Sequence, residues 1–151
     1  MKVEYNNLYT HFVLTTLNRM PVILEKHRQR IEKYITGIVK NNDCRLYAIY
    51  ANPEHVHFLV SRASNRDEGS LVTIIADSSA RFINENKLSA GFFQWQQTCS
   101  AFSVSKNDVS TVCQYIENQK EHHAKQSYND EYAEFLKQYQ QTLKKNEVNE
   151  V

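Results

Sequence analysis

The run Cys44-Arg-Leu-Tyr-Ala-Ile-Tyr-Ala51, Asn52-Pro53, Glu54-His-Val-His-Phe-Leu-Val-Ser-Arg62 decides the fold. Its first part alternates and is rich in β-branched and aromatic residues, which fit a half-buried pleated surface, so 44–51 reads as a strand. Asn52-Pro53 is a turn signal. Glu54 to Arg62 then reads as a second strand, antiparallel to the first in a hairpin. Side chains on a strand alternate faces, so His55 and His57, at i and i+2, point the same way. Two co-directed imidazoles form half of a metal site.

Working outward from the hairpin, Leu8 to Leu17 (LYTHFVLTTL) is another strand candidate. Pro21 can open a helix at its first turn. From there Leu24, Ile31, Tyr34, Ile35 and Ile38 recur at helical spacing as one buried stripe, with Lys26, Arg30 and Lys33 together on another face. Downstream, Leu71, Ile74, Ile75, Phe82 and Ile83 suit an amphipathic helix over 71–86. Gly91 ends a short link, and Phe92 to Val104 is a fourth, aromatic strand region. Asp108 or Ser110 can cap a helix running to about His123. A last helix is expected over 129–145, and 144–151 read as a frayed tail.

The order β-α-β-β-α-β followed by helices is the α+β, ferredoxin-like (split βαβ) arrangement, an antiparallel sheet covered by helices. With three glycines and two prolines in 151 residues, elements should be long and loops short, and the chain reads as one domain over 1–151. This topology hosts many functions and does not choose among them.

Composition narrows the class. Hydrophobic residues make up 41% of the chain, with nine tyrosines, seven phenylalanines and one tryptophan, which argues for a folded protein. No apolar stretch approaches the roughly 18 residues of a membrane span. The start, Met1-Lys-Val-Glu-Tyr-Asn-Asn7, lacks a signal peptide's apolar core, so a cytoplasmic protein is expected. Cys44, Cys99 and Cys113 are odd in number and scattered, reading as reduced packing cysteines rather than a zinc knuckle or disulfide frame. The net charge of +1 gives no argument for nucleic acid. Its distribution is more telling: residues 19–40 carry six Lys/Arg against two Glu. That stretch could follow a phosphate backbone, and a solvated helix face is the blander reading.

In the helix near Tyr115-Ile-Glu-Asn-Gln119, Tyr115 and Gln119 stand at i and i+4 and so share a face. Tyr115 offers a phenol, and Gln119 a carbonyl oxygen able to ligate a metal. With His55 and His57 these make a two-nitrogen, one-oxygen site with open positions and a candidate nucleophile nearby. Phenol has a pKa of about 10 and is a poor nucleophile at neutral pH. Beside a metal that polarises a phosphoryl group it becomes useful.

Taken alone, an HxH pair is more often incidental, and a tyrosine more often packs. HVH followed by YIENQ and EHH, in that order, is specific. The sequence resembles the IS200/IS605-like transposases over nearly its whole length: His55-Val-His57 fits their HUH pattern, with U hydrophobic, and Tyr115-Ile-Glu-Asn-Gln119 their single-tyrosine motif. Supporting stretches are Tyr9-Thr-His-Phe-Val, Ser78-Ser-Ala-Arg-Phe-Ile-Asn84, Phe93-Gln-Trp-Gln96, Ala101-Phe-Ser-Val-Ser105, Asn118-Gln-Lys-Glu-His-His123, Asp130-Glu-Tyr132 and Phe135-Leu136. Glu54 stands where relatives commonly have Asp.

The resemblance implies an enzyme that cuts single-stranded DNA near hairpin ends, leaving a 5′-phosphotyrosine and a 3′-hydroxyl, and rejoins strands by the reverse step. Carried over by position, His55 and His57 become metal ligands, Gln119 the third ligand and Tyr115 the nucleophile, with Mg²⁺ or Mn²⁺ as the ion. It implies a homodimer in which the tyrosine helix of one subunit can complete the other's site. Lys26, Arg30 and Lys33 are candidate phosphate contacts. The alternative from another class is a domesticated hairpin-binding regulator of DNA or RNA that does not cut. A structural metal-binding dimer is a third reading, which the basic helix disfavours. His122 and His123, at i and i+1, do not face one way, so one is expected to pack and the other to be exposed. His11, on the first strand, would lie near the site if that strand neighbours the third, with a core or sheet-face role the better reading. Phe92, Phe93 and Trp95 could stack on unpaired bases, with core packing the better reading for most of them.

Overall fold

Four strands, β1 (Tyr9–Thr15), β2 (Arg45–Ala51), β3 (His55–Ser61) and β4 (Ser100–Val104), form one sheet in the order β2-β3-β1-β4. Every pairing is antiparallel. Helices α1 (Arg28–Asn41) and α2 (Glu68–Glu85) supply the β-α-β-β-α-β order, and α3 (Val109–Glu117) and α4 (Gln119–Lys125) follow. This is the α+β, ferredoxin-like architecture that the alternation indicates. In this computed structural model residues 1–125 are described, with 127, 130, 131, 133, 134 and 137. The chain divides into two compact units, Met1–Glu117 and Asn118–Val151.

The register explains the two faces of the sheet. His11 lies opposite Leu59, Phe12 opposite Phe58 and Val13 opposite His57. Residues facing each other across an antiparallel pair share a face. Phe12, Leu14, Val56, Phe58 and Val60 therefore point together into the main core, where Ile31, Ile35, Ile38 and Val39 of α1 and Leu71, Ile75 and Ile83 of α2 meet them. The Phe12 and Phe58 rings stack there at 5.2 Å. On the other face Ala48 and Leu59 meet Ile116 of α3. A bulge in β2 serves that second face. Leu46 pairs with Val60 but Ala48 with Leu59, so Tyr47 is the extra residue, and Tyr47, Ala48 and Tyr50 all join the α3 cluster.

Three sequence expectations are corrected. Pro21 does not open α1. Residues 21–24 run extended as a strap, with the Ile23 N–H donating to Pro53 O at 3.0 Å and the Ala90 N–H to Val22 O at 3.0 Å. Ile23 is buried by that strap, and the helix begins only at Arg28, after a short 3-10 turn. The fourth strand is confined to 100–104. Before it, the Phe93 backbone is clamped on both sides by the Asn84 amide (2.7 and 2.9 Å), and the Trp95 indole N–H donates to Ser79 Oγ at 3.0 Å. Phe93 and Trp95 are core residues, as expected, whereas Phe92 is 78% exposed.

The helix expected to run unbroken to His123 stops at Glu117. Asn118 is a turn residue and α4 starts at Gln119. The i, i+4 relation between Tyr115 and Gln119 therefore does not lie within one helix. Helix α2, by contrast, starts earlier than its apolar stripe indicates, because Asp67 caps it by accepting from the Ser70 N–H at 2.7 Å. Most of the helix expected over 129–145, and all of the tail at 144–151, lie outside the described residues. Among the described residues no helix is long and apolar enough to cross a membrane.

Candidate active site

The hairpin turn builds the first half of the site. Asn52, Pro53 and Glu54 link β2 to β3, and the Asn52 N–H donates to His55 O at 2.8 Å, closing the turn. The Thr16 N–H donates to Glu54 O at 3.0 Å, tying the same turn to the end of β1. Glu54 and Asn52 thereby bracket the His55 ring. His55 Nδ1 lies 2.9 Å from Glu54 Oε1, and Nε2 lies 3.2 Å from Asn52 Nδ2. With the proton on Nδ1, donated to the carboxylate, Nε2 keeps its lone pair and accepts from the Asn52 amide. That tautomer is the one a metal-ligating histidine needs.

His57 follows two residues on, on the same face, its ring centroid 4.9 Å from that of His55. Both side chains are buried, at 0% and 1% exposure. β1 places His11 against His57, with His11 Nε2 2.9 Å from His57 Nδ1. Burial pushes the His11 imidazole down to about 4, so this ring is neutral at neutral pH. From above, α3 contributes Tyr115. Its ring stands perpendicular to that of His57 at 5.7 Å and edge-on to that of His11 at 6.4 Å. His55, His57 and Tyr115 are thus gathered within one chain.

Gln119 belongs to the second unit, where it opens α4. There three ligand-type atoms converge: His123 Nε2 lies 2.8 Å from Gln119 Oε1 and 2.8 Å from Glu131 Oε2. The Gln119 amide also reaches Glu131 Oε1 at 3.4 Å. His122 and His123 are both half-buried, so the expectation that one is exposed is corrected.

Lys26, Arg30 and Lys33 lie apart from this chemistry. They are exposed, Lys26 in the turn before α1 and the other two on α1, which packs on the opposite face of the sheet from the histidines. The Arg30 guanidinium donates to Asn86 Oδ1 at 2.8 Å and sits 5.5 Å from the centre of the Phe82 ring.

Sequence reasoning placed His11 in the sheet, near the site if the first strand neighbours the third; β1 does pair with β3, and their register sets the contact with His57. That reasoning missed Asn52 and Glu54 as partners of His55. The available signals were their position within the turn and, for Glu54, the Asp that relatives commonly carry there. Glu131 stood within the supporting stretch Asp130-Glu-Tyr132, with no chemical role suggested for it. His123 was marked by EHH and by its i+4 spacing from Gln119.

Paired imidazoles can supply two nitrogens to a divalent ion, and a phenol beside them can supply an oxygen nucleophile. The fold and these residues are therefore compatible with metal binding beside a phenol. The family described as "Transposase IS200 like" matches residues 4–119, and the chain belongs to it. Membership points to DNA transposition by a DNA-processing enzyme. Among solved structures, a candidate transposase from Deinococcus radiodurans R1 has a similar fold. It is 22% identical, with a TM-score of 0.61, over 79% of this chain and 96% of that one. A REP-associated tyrosine transposase bound to a REP hairpin is 17% identical, also with a TM-score of 0.61, over 82% of this chain and 73% of that one. No curated protein matches the sequence.

Proposed function

We propose that this protein is a single-tyrosine, HUH-type transposase of the IS200/IS605 kind, which nicks and rejoins single-stranded DNA near hairpin ends through Tyr115. The observation that carries the reading is the perpendicular approach of the Tyr115 ring to His57 at 5.7 Å, on the face where His55 and His57 point together. His55 and His57 would hold a divalent ion, Mg²⁺ or Mn²⁺, with Gln119 as the third ligand. Their donor chemistry fits, since the Glu54 carboxylate already orients His55 for ligation. Once bound, such an ion polarises a phosphoryl oxygen and offsets charge developing on it.

The chain's own residues do the rest. The Tyr115 oxygen attacks phosphorus and loses its proton. The bond to the 3′ oxygen breaks and that oxygen gains a proton. The products are a 5′-phosphotyrosine and a free 3′-hydroxyl. The ester conserves the energy of the phosphodiester, so a second 3′-hydroxyl can reverse the step without ATP. Hairpin DNA as substrate is supported by the similar fold of the hairpin-bound transposase, and on this reading the protein works in the cytoplasm. A homodimer is supported by β4, which lies at one edge of the sheet and can extend it. Exchange of tyrosine helices between subunits is not required by this geometry, because Tyr115 already lies beside the histidines of its own chain.

The test is covalent trapping. Wild-type protein incubated with hairpin-bearing single-stranded DNA from its own element's end and Mn²⁺ should give a protein–DNA adduct, and Tyr115→Phe none. No adduct from the wild type, or an adduct from Tyr115→Phe, would overturn the mechanism. Hairpin binding that persists in EDTA, with no cleavage in any metal, would point to the non-cutting regulator.

A further inference from the structure

His11 lies in β1, outside the HVH and YIENQ motifs, yet it is within hydrogen-bond reach of a motif histidine. Its Nε2 is 2.9 Å from His57 Nδ1, within ordinary hydrogen-bond reach, and the ring is only 3% exposed. The antiparallel register, with His11 opposite Leu59, sets it one diagonal step from His57 on the same face. Phe102 of β4 at 6.0 Å and Tyr115 of α3 at 6.4 Å hold the ring on two further sides. His11 is therefore fixed by three elements, with one nitrogen aimed at His57.

The two motif histidines then show one pattern. His55 hands Nδ1 to the Glu54 carboxylate, which leaves the Nε2 lone pair, now accepting from the Asn52 amide at 3.2 Å, as the one it can turn to a metal. His57 meets its partner through the same nitrogen, Nδ1. Ligating imidazoles depend on such partners to fix tautomer and ring orientation. We infer that His11 is a positioning residue for the metal centre: its Nε2 accepts a hydrogen bond from the His57 Nδ1–H, so that His57 presents Nε2 as a ligand. This rests on the reading of His55 and His57 as metal ligands. The structural alternative is that His11 only fills space between β1 and α3.

The two roles separate by substitution. A glutamine at position 11 can return an acceptor oxygen near the place of Nε2, whereas leucine fills similar space without one. Mn²⁺ affinity, titrated by electron paramagnetic resonance on the full chain, should fall within about threefold of wild type for His11→Gln. His11→Leu should bind about 10–100-fold more weakly, the usual cost of losing an outer partner, with an unchanged circular dichroism spectrum. Wild-type affinity in His11→Leu, or equal loss in both variants, overturns the role. If His11→Leu does not fold, the ¹⁵N spectrum of the Zn²⁺-loaded wild-type chain decides. A proton on His57 Nδ1 is the expected result, and a proton on Nε2 overturns the inference. A wild-type chain that binds no metal would instead sink the reading of the HVH pair as ligands, a separate outcome from wild-type binding with indifferent variants.

Discussion

The two faces of this sheet come from the same strands and are both buried, yet they follow opposite rules. Along β3, Val56, Phe58 and Val60 enter a core of isoleucines, leucines and stacked phenylalanines, where the gain is removal of apolar surface from water. His55 and His57, interleaved with them, are as deeply buried, and each nitrogen taken from water must find a partner. Glu54, Asn52 and His11 are partners the fold provides. The apolar face carries stability, and the polar face spends some of it to hold reactive groups in fixed orientations.

The largest effect expected from this contrast is on stability. Phe58→Ala removes a fully buried ring from the stack with Phe12 and should cost about 3–5 kcal/mol. The fraction that stays folded should bind Mn²⁺ normally. His57→Ala, one residue away on the other face, should abolish Mn²⁺ binding while costing about 1–3 kcal/mol, the penalty of leaving the buried His11 nitrogen without that partner. Denaturant melts and metal titrations on both variants read this out. If Phe58→Ala left stability intact, or His57→Ala unfolded the chain, the division of labour between the faces would be wrong.

A slightly smaller effect follows from protons. In the folded chain His11 titrates at about 4 because it is buried, against 6.5 when unfolded. The unfolded chain therefore binds more protons between those values, and stability falls as the pH is lowered from about 6.5 towards 4. The full difference is worth about 3 kcal/mol. Titratable groups facing this ring include His57 of β3 and Tyr115 of α3. The stability of wild type relative to His11→Gln, measured in EDTA, should fall as the pH is lowered across this window. Parallel curves would show that His11 is not held neutral by the fold.

How much of this was legible beforehand divides along similar lines. Period-two alternation in 44–62 was enough for the β2–β3 hairpin and for the shared direction of His55 and His57, because alternation is local physics. The order of elements followed from apolar periodicity. What was not legible depends on contacts between distant segments. Pro21 could open a helix on local grounds, but Val22 and Ile23 are drawn into backbone hydrogen bonds with Ala90 and Pro53. Phe92 to Cys99 looked like a strand because its aromatics favour pleated surfaces. The Asn84 clamp and the Trp95 to Ser79 bond hold it as irregular chain instead. The break at Asn118 left no mark in YIENQ, and the i, i+4 argument for Tyr115 and Gln119 failed there. His11 was visible as a strand histidine, but its place beside His57 needed the register of β1 on β3.

The smallest effect sharpens the comparison by asking whether the helical layer over the apolar face also meets DNA. Lys26, Arg30 and Lys33 lie on the outside of that layer, away from the histidines. Their contribution should be to affinity rather than to cleavage. Arg30 is already engaged by Asn86 and Phe82, so Lys26 and Lys33 should carry most of it. Each phosphate contact to a hairpin stem adds about 0.9 to the slope of log affinity against log salt. The double variant Lys26→Ala/Lys33→Ala should therefore bind hairpin DNA with a slope shallower by about 2. The yield of Tyr115 adduct at saturating DNA should not change. An unchanged slope would reduce the basic stretch to a solvated helix face. A loss of adduct at saturation would mean that the outer layer positions the strand for attack, and the two faces would then share the chemistry.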